Sequence, residues 1–172
     1  MRTNMEAITQ MMEADAFGHD TIAVVKDHKW WQMQMHLDTY FNIIDKDLCT
    51  LVESRYNAKE GDPEWVTVDI YTRKKGKKEY TLSQKDVPFV EFLTKQGFSI
   101  IPIKLEDELH YANNYLTIGP RHIMAVGNQS EELQQALAEH GVNVEWTPLE
   151  TLIKGYGAAH CMTQVIRVET TN

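Results

Sequence analysis

The spacing of apolar residues predicts a chain of short strands interrupted by a few helices. Apolar residues recur at helical intervals after Thr3 and Glu6, which form a candidate capping box for a first helix. Shorter apolar runs bounded by turn residues are typical of strands. The predicted helices are residues 4–14, a segment between Asp86 and Gly97, residues 130–139 and a short turn at 149–153. The predicted strands are residues 21–25, 40–44, 48–52, 65–71, 79–82, 98–103, 115–118, 122–126, 142–146 and 164–168.

These elements follow a repeated order along the chain. Residues 115–146 give two strands, a helix and a strand, and residues 65–103 give a weaker copy of the same order. Residues 21–52 contribute further strands without an obvious helix. Such repetition indicates an architecture in which each ββαβ unit needs neighbours to bury its apolar face. The pattern predicts an α/β fold, and no linker-like segment divides residues 1–172, so we expect a single domain.

The net charge of the chain disfavours two classes of binding partner. The 172 residues carry a formal net charge of −8, which disfavours binding to nucleic acid or to an anionic membrane surface. The basic cluster at residues 73–78 lies between two predicted strands, and we interpret it as a solvated hairpin turn. The two cysteines do not make a disulfide framework, and neither a secretory signal nor a membrane-spanning stretch is evident. A cytoplasmic protein is the resulting expectation.

A short run near the C-terminus contains the first candidate for chemistry. Residues 155–163 place Cys161 after a loop of small residues and directly before a predicted strand. Glycine in such a loop allows the backbone to approach a ligand closely, and a thiol at its end suits a nucleophile. The alternative is that Cys161 is a small buried apolar side chain, which is how we interpret Cys49 inside its apolar strand.

A second candidate lies far upstream, at His36 and Asp38. If residues 35–39 are extended, both side chains point to one face and can aim a proton carrier and a carboxylate at one ligand. The alternative is a histidine that is hydrogen-bonded locally. By the same argument His160 points away from Cys161, and we interpret it as a loop residue. No spacing among these ligand-type residues matches a zinc framework.

Taken together, these motifs resemble a known family. Residues 35–39, Met-His-Leu-Asp-Thr, are similar to the H-L-D-T motif of the arginine deiminases, and residues 155–163 resemble that family's glycine-rich loop and cysteine. Arg2 and Thr3 resemble its E-R-T segment, and residues 114–120 match another stretch loosely. Each motif is short, but their order and rough spacing agree over nearly the whole chain. The matching part of the family is its C-terminal half.

The resemblance implies a fold and a reaction. The fold is the pentein, in which five ββαβ units surround a central site pseudo-symmetrically, and this chain would form part of one. The reaction is hydrolysis of arginine to citrulline and ammonia, with no metal and no organic cofactor. By resemblance, Cys161 attacks the guanidinium carbon, His36 transfers protons, and Asp38 holds the guanidinium through charged hydrogen bonds. Gly157 belongs to the binding loop, and Arg2 is a candidate for the substrate carboxylate.

Two departures from the family pattern leave alternatives open. Tyr156 stands where the family loop usually carries an arginine, so the preferred guanidino substrate could be arginine, agmatine or a methylated arginine. The family's N-terminal half supplies two further carboxylates and has no counterpart in these 172 residues. We therefore expect association with a missing N-terminal half or with a second copy of the chain, because open sheet edges invite pairing. An inactive binding module and an amidinotransferase are the remaining alternatives.

Overall fold

The computed structural model describes residues 3–29 and 31–164. They fall into two compact units, the first comprising the chain up to Trp31 with Arg55–Phe98, and the second comprising Gln32–Ser54 with the chain from Ser99 onward. The helices are α1 Met5–Glu13, α2 Glu53–Tyr56, α3 Phe89–Lys95, α4 Leu105–Glu108 and α5 Glu131–Glu139. The strands are β1 Thr21–Lys26, β2 Phe41–Asp45, β3 Leu48–Val52, β4 Thr67–Thr72, β5 Thr81–Pro88, β6 Ser99–Ile103, β7 Leu116–Gly119, β8 His122–Val126 and β9 Asn143–Thr147. No helix within this part of the chain is both long enough and apolar enough to cross a membrane.

The first unit is built on an antiparallel sheet with the strand order β1-β4-β5. Val68 and Ile70 of strand β4 are buried. Strands β4 and β5 pair antiparallel, and the basic cluster lies in the turn between them, as predicted. Strand β5 is longer than predicted and includes Asp86. The φ of Asp86 is 54°, in the left-handed region. Asp86 therefore does not cap α3, whose N-cap is Pro88.

The capping-box prediction for α1 was wrong by one residue. Asn4 has an extended backbone, and its side-chain Oδ1 accepts a hydrogen bond of 2.9 Å from the N–H of Ala7. The N-cap is therefore Asn4 and not Thr3. Both residue types satisfy the free N–H groups of a first helical turn, so sequence preference alone does not separate them.

Strand β3 is the centre of a sheet in the second unit, with the order β2-β3-β6. Every residue of β3 is buried, which agrees with its continuous run of mostly apolar residues. Strand β2 pairs with β3 antiparallel, and β6 pairs with it parallel. Cys49 lies in β3 and is completely buried, so its interpretation as a core residue is confirmed.

The predicted ββαβ unit at residues 115–146 is confirmed in the second sheet of this unit. Strands β7 and β8 form an antiparallel hairpin, and β9 pairs parallel with β8 after α5. Ser130 caps α5, since its side chain accepts a hydrogen bond of 3.2 Å from the N–H of Leu133. Gly141 follows the helix with a φ of 69°, in the left-handed region that favours glycine.

The weaker repeat predicted at residues 65–103 was wrong. Strands β4 and β5 pair with β1, whereas β6 pairs with β3. The second sheet with a hairpin and a parallel third strand is therefore β2-β3-β6, and residues 53–98 are inserted between β3 and β6. The α/β class is confirmed. Local patterns identified the strands correctly, but the long insertion concealed which strands are partners.

Hydrogen bonds join the two sheets of the second unit close to residue 114. The side-chain Nδ2 of Asn42 donates to the backbone oxygens of Asn113 and Tyr115, both at 2.8 Å. The hydroxyls of Thr50 and Tyr115 are 3.0 Å apart within the core. These bonds hold the segment before β7 against β2 and β3, and that segment carries a residue of the site described next.

Candidate active site

A left-handed residue and a closely packed glycine shape the loop that carries Cys161. A 3-10 helix at Leu152–Gly155 ends at Tyr156, whose φ of 66° lies in the left-handed region. At Gly157, an added Cβ atom would lie 2.8 Å from the Cβ and 3.0 Å from the Sγ of Cys161. Such separations are shorter than carbon and sulfur atoms tolerate, so the loop needs glycine at this position.

Ala158 anchors the same loop in a small apolar cluster. Its side chain is fully buried, and burial of apolar area from water stabilises the backbone on both sides of it. The cluster consists of Ala158, Tyr111 and Val126, with Met33, Leu149 and Ile153 packed against them. The loop before Cys161 is therefore held in the protein core immediately after Gly157.

Asp38 lies in a 3-10 helix, Leu37–Thr39, and not in the extended segment that the sequence predicted. His36 precedes this helix with an extended backbone, and its carbonyl oxygen accepts hydrogen bonds from the N–H and the hydroxyl of Thr39 at 3.2 Å and 2.7 Å. The expectation that His36 and Asp38 share one face of a strand is therefore wrong. The direction of the Asp38 side chain is set by the 3-10 helix instead of by an extended strand.

The carboxylate of Asp38 meets both His160 and Cys161. Its Oδ2 lies 2.8 Å from Nδ1 of His160 and 3.3 Å from Sγ of Cys161. Residues 159–162 form a turn, so the argument from extended chain that directed His160 away from the site is wrong. A carboxylate, an imidazole and a thiol thus meet at one place, which is the set of groups that nucleophilic catalysis by cysteine uses.

Asn114 lies at the centre of this arrangement and is completely buried. Its Nδ2 donates to Sγ of Cys161 at 3.0 Å and to the backbone oxygen of Asp38 at 3.2 Å. Its Oδ1 accepts from the N–H groups of Ala158 and Cys161 at 2.7 Å and 3.1 Å. One side chain therefore connects the cysteine loop to the turn that carries the carboxylate.

The surroundings of Cys161 favour the neutral thiol when no ligand is bound. Partial burial, followed by the negative charge of Asp38, raises the pKa of the Cys161 thiol above its ordinary value. The hydrogen bond from Asn114 lowers that pKa and so acts in the opposite direction. A cation bound beside the sulfur would offset the charge of Asp38 and favour the thiolate.

One oxygen of the Asp38 carboxylate is left without a donor. Oδ1 of Asp38 is buried, yet it accepts no hydrogen bond from the residues that the structure describes. An unpartnered carboxylate oxygen away from water is unfavourable, so Asp38 has hydrogen-bonding capacity that the described residues do not use. Carboxylates are common partners of planar cations that donate two parallel N–H groups.

Four of the predicted site residues lie at or beside this point. Sγ of Cys161 lies 3.3 Å from Asp38, and Gly157 is so close to Cys161 that an added Cβ atom would not fit. Tyr156 adjoins them in the chain, and its side chain stays 47% exposed. Tyr156 is therefore accessible from solvent.

The other two predicted residues are not part of the contact network. His36 is exposed, and within residues 3–29 and 31–164 its imidazole makes no hydrogen bond. Arg2 lies outside the described residues, as does most of the predicted strand at 164–168. In the described part of the chain, no group of three or more His, Cys, Asp or Glu side chains is arranged to hold a metal ion.

Two residues of the site were not recognised in the sequence. His160 was rejected because Cys161 was assumed to be extended, and the turn at 159–162 removes that assumption. Asn114 was noted only as the start of a loosely matching stretch. Its signal was present, since a polar residue directly before an apolar strand often satisfies backbone groups elsewhere.

Comparison with known proteins identifies the family of the chain. The family model described as arginine deiminase matches residues 1–167. An arginine deiminase from Halobacterium salinarum is 31% identical over 200 aligned residues, which take in 96% of this chain. The chain spans 40% of the length of that relative.

Proposed function

Because the chain belongs to the arginine deiminase family, we propose that it carries the nucleophile and one guanidinium-binding carboxylate of a guanidine hydrolase. The observation that carries this proposal is the pair formed by Asp38 and Cys161. One carboxylate oxygen lies 3.3 Å from the sulfur, and the other is buried and accepts no hydrogen bond from the described residues. A guanidinium bound to both oxygens would have its carbon beside Sγ, which is the position that attack requires.

The first half of the proposed reaction forms a covalent bond to the enzyme. The sulfur of Cys161 attacks the guanidinium carbon, and the thiol proton passes through an imidazole to one terminal nitrogen. The bond from carbon to that nitrogen then breaks, and ammonia leaves. The product on the enzyme is a cationic thiouronium, in which the carbon is bonded to sulfur and to the two remaining nitrogens. Asp38 stays beside this cation throughout.

The second half releases the product by hydrolysis. The imidazole accepts a proton from water, whose oxygen attacks the thiouronium carbon. The bond from carbon to sulfur breaks, the thiol of Cys161 is restored, and one proton goes to ammonia. The balance is arginine and water to citrulline and ammonium. An amine in place of water would give amidino transfer, so access of the acceptor decides between hydrolase and transferase.

We assign the proton transfers to His36 on the basis of the family motif. Its imidazole is exposed and makes no hydrogen bond within the described residues, so it is available for proton transfer. His160 shares a hydrogen bond with Oδ2 of Asp38, and we propose that a guanidinium competes with this imidazole for the carboxylate. The two histidines therefore have different proposed duties, which substitution can separate.

The far end of the substrate would be recognised by the loop and by the start of the chain. Tyr156 is exposed beside Gly157 and offers a neutral hydroxyl, whereas an arginine would offer a charge. Arg2 is proposed to bind the substrate carboxylate. A guanidino compound with a carboxylate, arginine itself, is the substrate that this pair would favour over agmatine, which has none.

The proposed architecture is part of a pentein, with residues 1–172 contributing the C-terminal half of one domain. The confirmed ββαβ unit and the related sheet β2-β3-β6 support it. The chain spans 40% of its Halobacterium salinarum relative, so we propose that an N-terminal half or a second copy completes the site. Both cysteines are free, which supports a cytoplasmic location.

The second candidate function is a binding module that holds a guanidino ligand without turnover. The observation that favours it is the partial span of the chain against its relative. It shares the ligand position at Asp38 but makes no product.

The test is release of citrulline and ammonia from arginine by the purified chain, with Cys161→Ala as the control. Release that depends on Cys161 supports the hydrolase. Binding of arginine without product in both proteins supports the binding module. Product formation that Cys161→Ala leaves unchanged contradicts the assignment of the nucleophile.

A further inference from the structure

We propose that Asn114 is the positioning residue of the site, in that its side-chain amide aims the sulfur of Cys161 and stabilises the thiolate. The inference rests on the proposed function for its catalytic consequence. The hydrogen bond itself is expected to affect ionisation of the Cys161 thiol, which is measurable without turnover.

Every donor and acceptor of the Asn114 side-chain amide has a hydrogen-bond partner. An asparagine side chain offers two N–H donors and two acceptor lone pairs, and all four have partners here. The donors reach Sγ of Cys161 and the backbone oxygen of Asp38, and the acceptor binds the N–H groups of Ala158 and Cys161. A reversed amide would direct its N–H groups at two N–H donors, so the network itself fixes the orientation.

Burial and hydrogen bonds to the neighbouring backbone fix the position of this amide. Asn114 is completely buried, and Asn42 holds the backbone on both sides of it through the oxygens of Asn113 and Tyr115. The backbone oxygen of Asn114 also accepts from the N–H of His160 at 3.0 Å. The donor that faces the sulfur is therefore buried in a segment hydrogen-bonded to β2, and the cysteine loop is hydrogen-bonded to the same segment.

The charged and titratable groups that face the sulfur otherwise oppose ionisation. Oδ2 of Asp38 lies 3.3 Å from the sulfur and carries a negative charge. Tyr111 interacts with Cys161 electrostatically, without a hydrogen bond to the sulfur. His160 contacts Asp38 rather than the sulfur. Among side chains in the described residues that contact Sγ, the amide of Asn114 is the donor that favours the thiolate. A backbone hydrogen bond at Ala158 also lowers the pKa of the Cys161 thiol, so removing Asn114 takes away the side-chain part of this stabilisation.

The experiment measures alkylation of Cys161 by iodoacetamide against pH, quantified on the Cys161 peptide by mass spectrometry. Asn114→Asp keeps the acceptor for the loop N–H groups and removes the donor to the sulfur, while Asn114→Ala removes the side chain without adding charge. A hydrogen bond to a charged group is expected to change the thiolate fraction by about tenfold. In both variants the midpoint of the profile is expected to rise, and the rate at neutral pH to fall by about that factor.

Asn42→Ala is the matched control, because it loosens the same backbone and touches neither sulfur nor carboxylate. It keeps the donor to the sulfur, so the midpoint is expected to rise by less than in either Asn114 variant. A midpoint unchanged in both folded Asn114 variants, or raised equally by Asn42→Ala, would overturn the inference. Loss of citrulline formation without a shift in the thiol profile would also overturn it, while leaving the proposed hydrolase intact.

A second measurement needs no substitution at Asn114 and decides the matter if its variants do not fold. In the unaltered chain, the side-chain N–H resonances of Asn114 are followed by nuclear magnetic resonance as pH is raised. Direct contact predicts that one of them shifts with the midpoint of Cys161 alkylation and that the shift is absent in Cys161→Ala. A resonance that does not follow the thiol contradicts the proposal.

Discussion

Asp38 and His160 share a hydrogen bond of 2.8 Å between Oδ2 and Nδ1, although 122 positions separate them in the chain. The bond joins the short 3-10 helix Leu37–Thr39 to the turn that carries Cys161. It also occupies one of the two carboxylate oxygens that a guanidinium would use. The imidazole of His160 would therefore compete with a bound guanidinium for Asp38, and the two histidines are expected to act differently.

Substitution of each histidine is expected to separate these roles. His36→Ala is expected to reduce turnover of arginine by roughly 10²–10⁴-fold, which is the range for loss of a general acid–base group. His160→Ala frees Oδ2 of Asp38, so KM for arginine is expected to fall or stay constant while kcat stays within about tenfold. Steady-state kinetics on both variants checks this. The reverse pattern, with kcat lost only in His160→Ala, would assign proton transfer to His160.

Two glycines of one loop provide a matched steric test. In Gly157→Ala the new methyl group would lie 2.8 Å from Cβ of Cys161, whereas a methyl group at Gly155 meets nothing within 4 Å. Overpacking of this kind costs about 1–3 kcal/mol, and relief requires movement of the cysteine. We expect Gly157→Ala to slow alkylation of Cys161 by roughly tenfold and Gly155→Ala to leave it unchanged. Equal rates in both variants would show that the loop accommodates the methyl group.

Removing the charge of Asp38 is expected to move two properties in opposite directions. The negative carboxylate contributes to raising the pKa of Cys161, so Asp38→Asn is expected to lower that pKa and speed alkylation at neutral pH. The same variant loses the charged acceptor for a guanidinium, so arginine binding is expected to weaken. Alkylation kinetics and isothermal titration calorimetry measure the two effects. A slower alkylation in Asp38→Asn would contradict the electrostatic account.

Cys49 is expected to make the fold sensitive to alkaline pH. Burial raises its pKa to about 12, whereas a thiol in the unfolded chain titrates near about 8.5. Its contribution is therefore complete below the unfolded value and is lost as pH rises towards the folded value. Between pH 8 and 10 the free energy of unfolding is expected to fall by about 2 kcal/mol more in the parent than in Cys49→Val. Urea unfolding at the two pH values measures this, and equal losses would contradict it.

The sequence predicted individual elements well where their pairing is local. Residues 48–52 form β3 with the predicted bounds, and the ββαβ unit at 115–146 needs only the neighbouring hairpin and a short crossover. The pairing of β6 with β3 was not predictable in the same way, because residues 53–98 separate the two strands. Apolar alternation identifies a strand but carries no information about which distant strand is its partner.

The site was predictable in its residue types but not in its geometry. Cys161 and Asp38 stood out through their local motifs, and the structure brings them within 3.3 Å. His160 and Asn114 were missed because their roles depend on a turn and on a buried amide with four partners. A period-two argument about side-chain direction holds only in extended chain, and neither stretch is extended.

The central claim is that Asp38 recruits a planar cation to the sulfur of Cys161. The most direct measurement compares alkylation of Cys161 by chloroacetamidine, a cation, with alkylation by chloroacetamide, its neutral counterpart of similar shape. Both rates are divided by those of N-acetylcysteine, which removes the intrinsic reactivity of each reagent. This pair probes the carboxylate and the thiol without requiring the rest of a complete active site.

The account predicts a normalised preference for the cation on the order of tenfold or more, lost in Asp38→Asn and retained in Gly155→Ala. A preference equal to that of the free thiol, or one that Asp38→Asn leaves unchanged, would contradict recruitment of a guanidinium to this site.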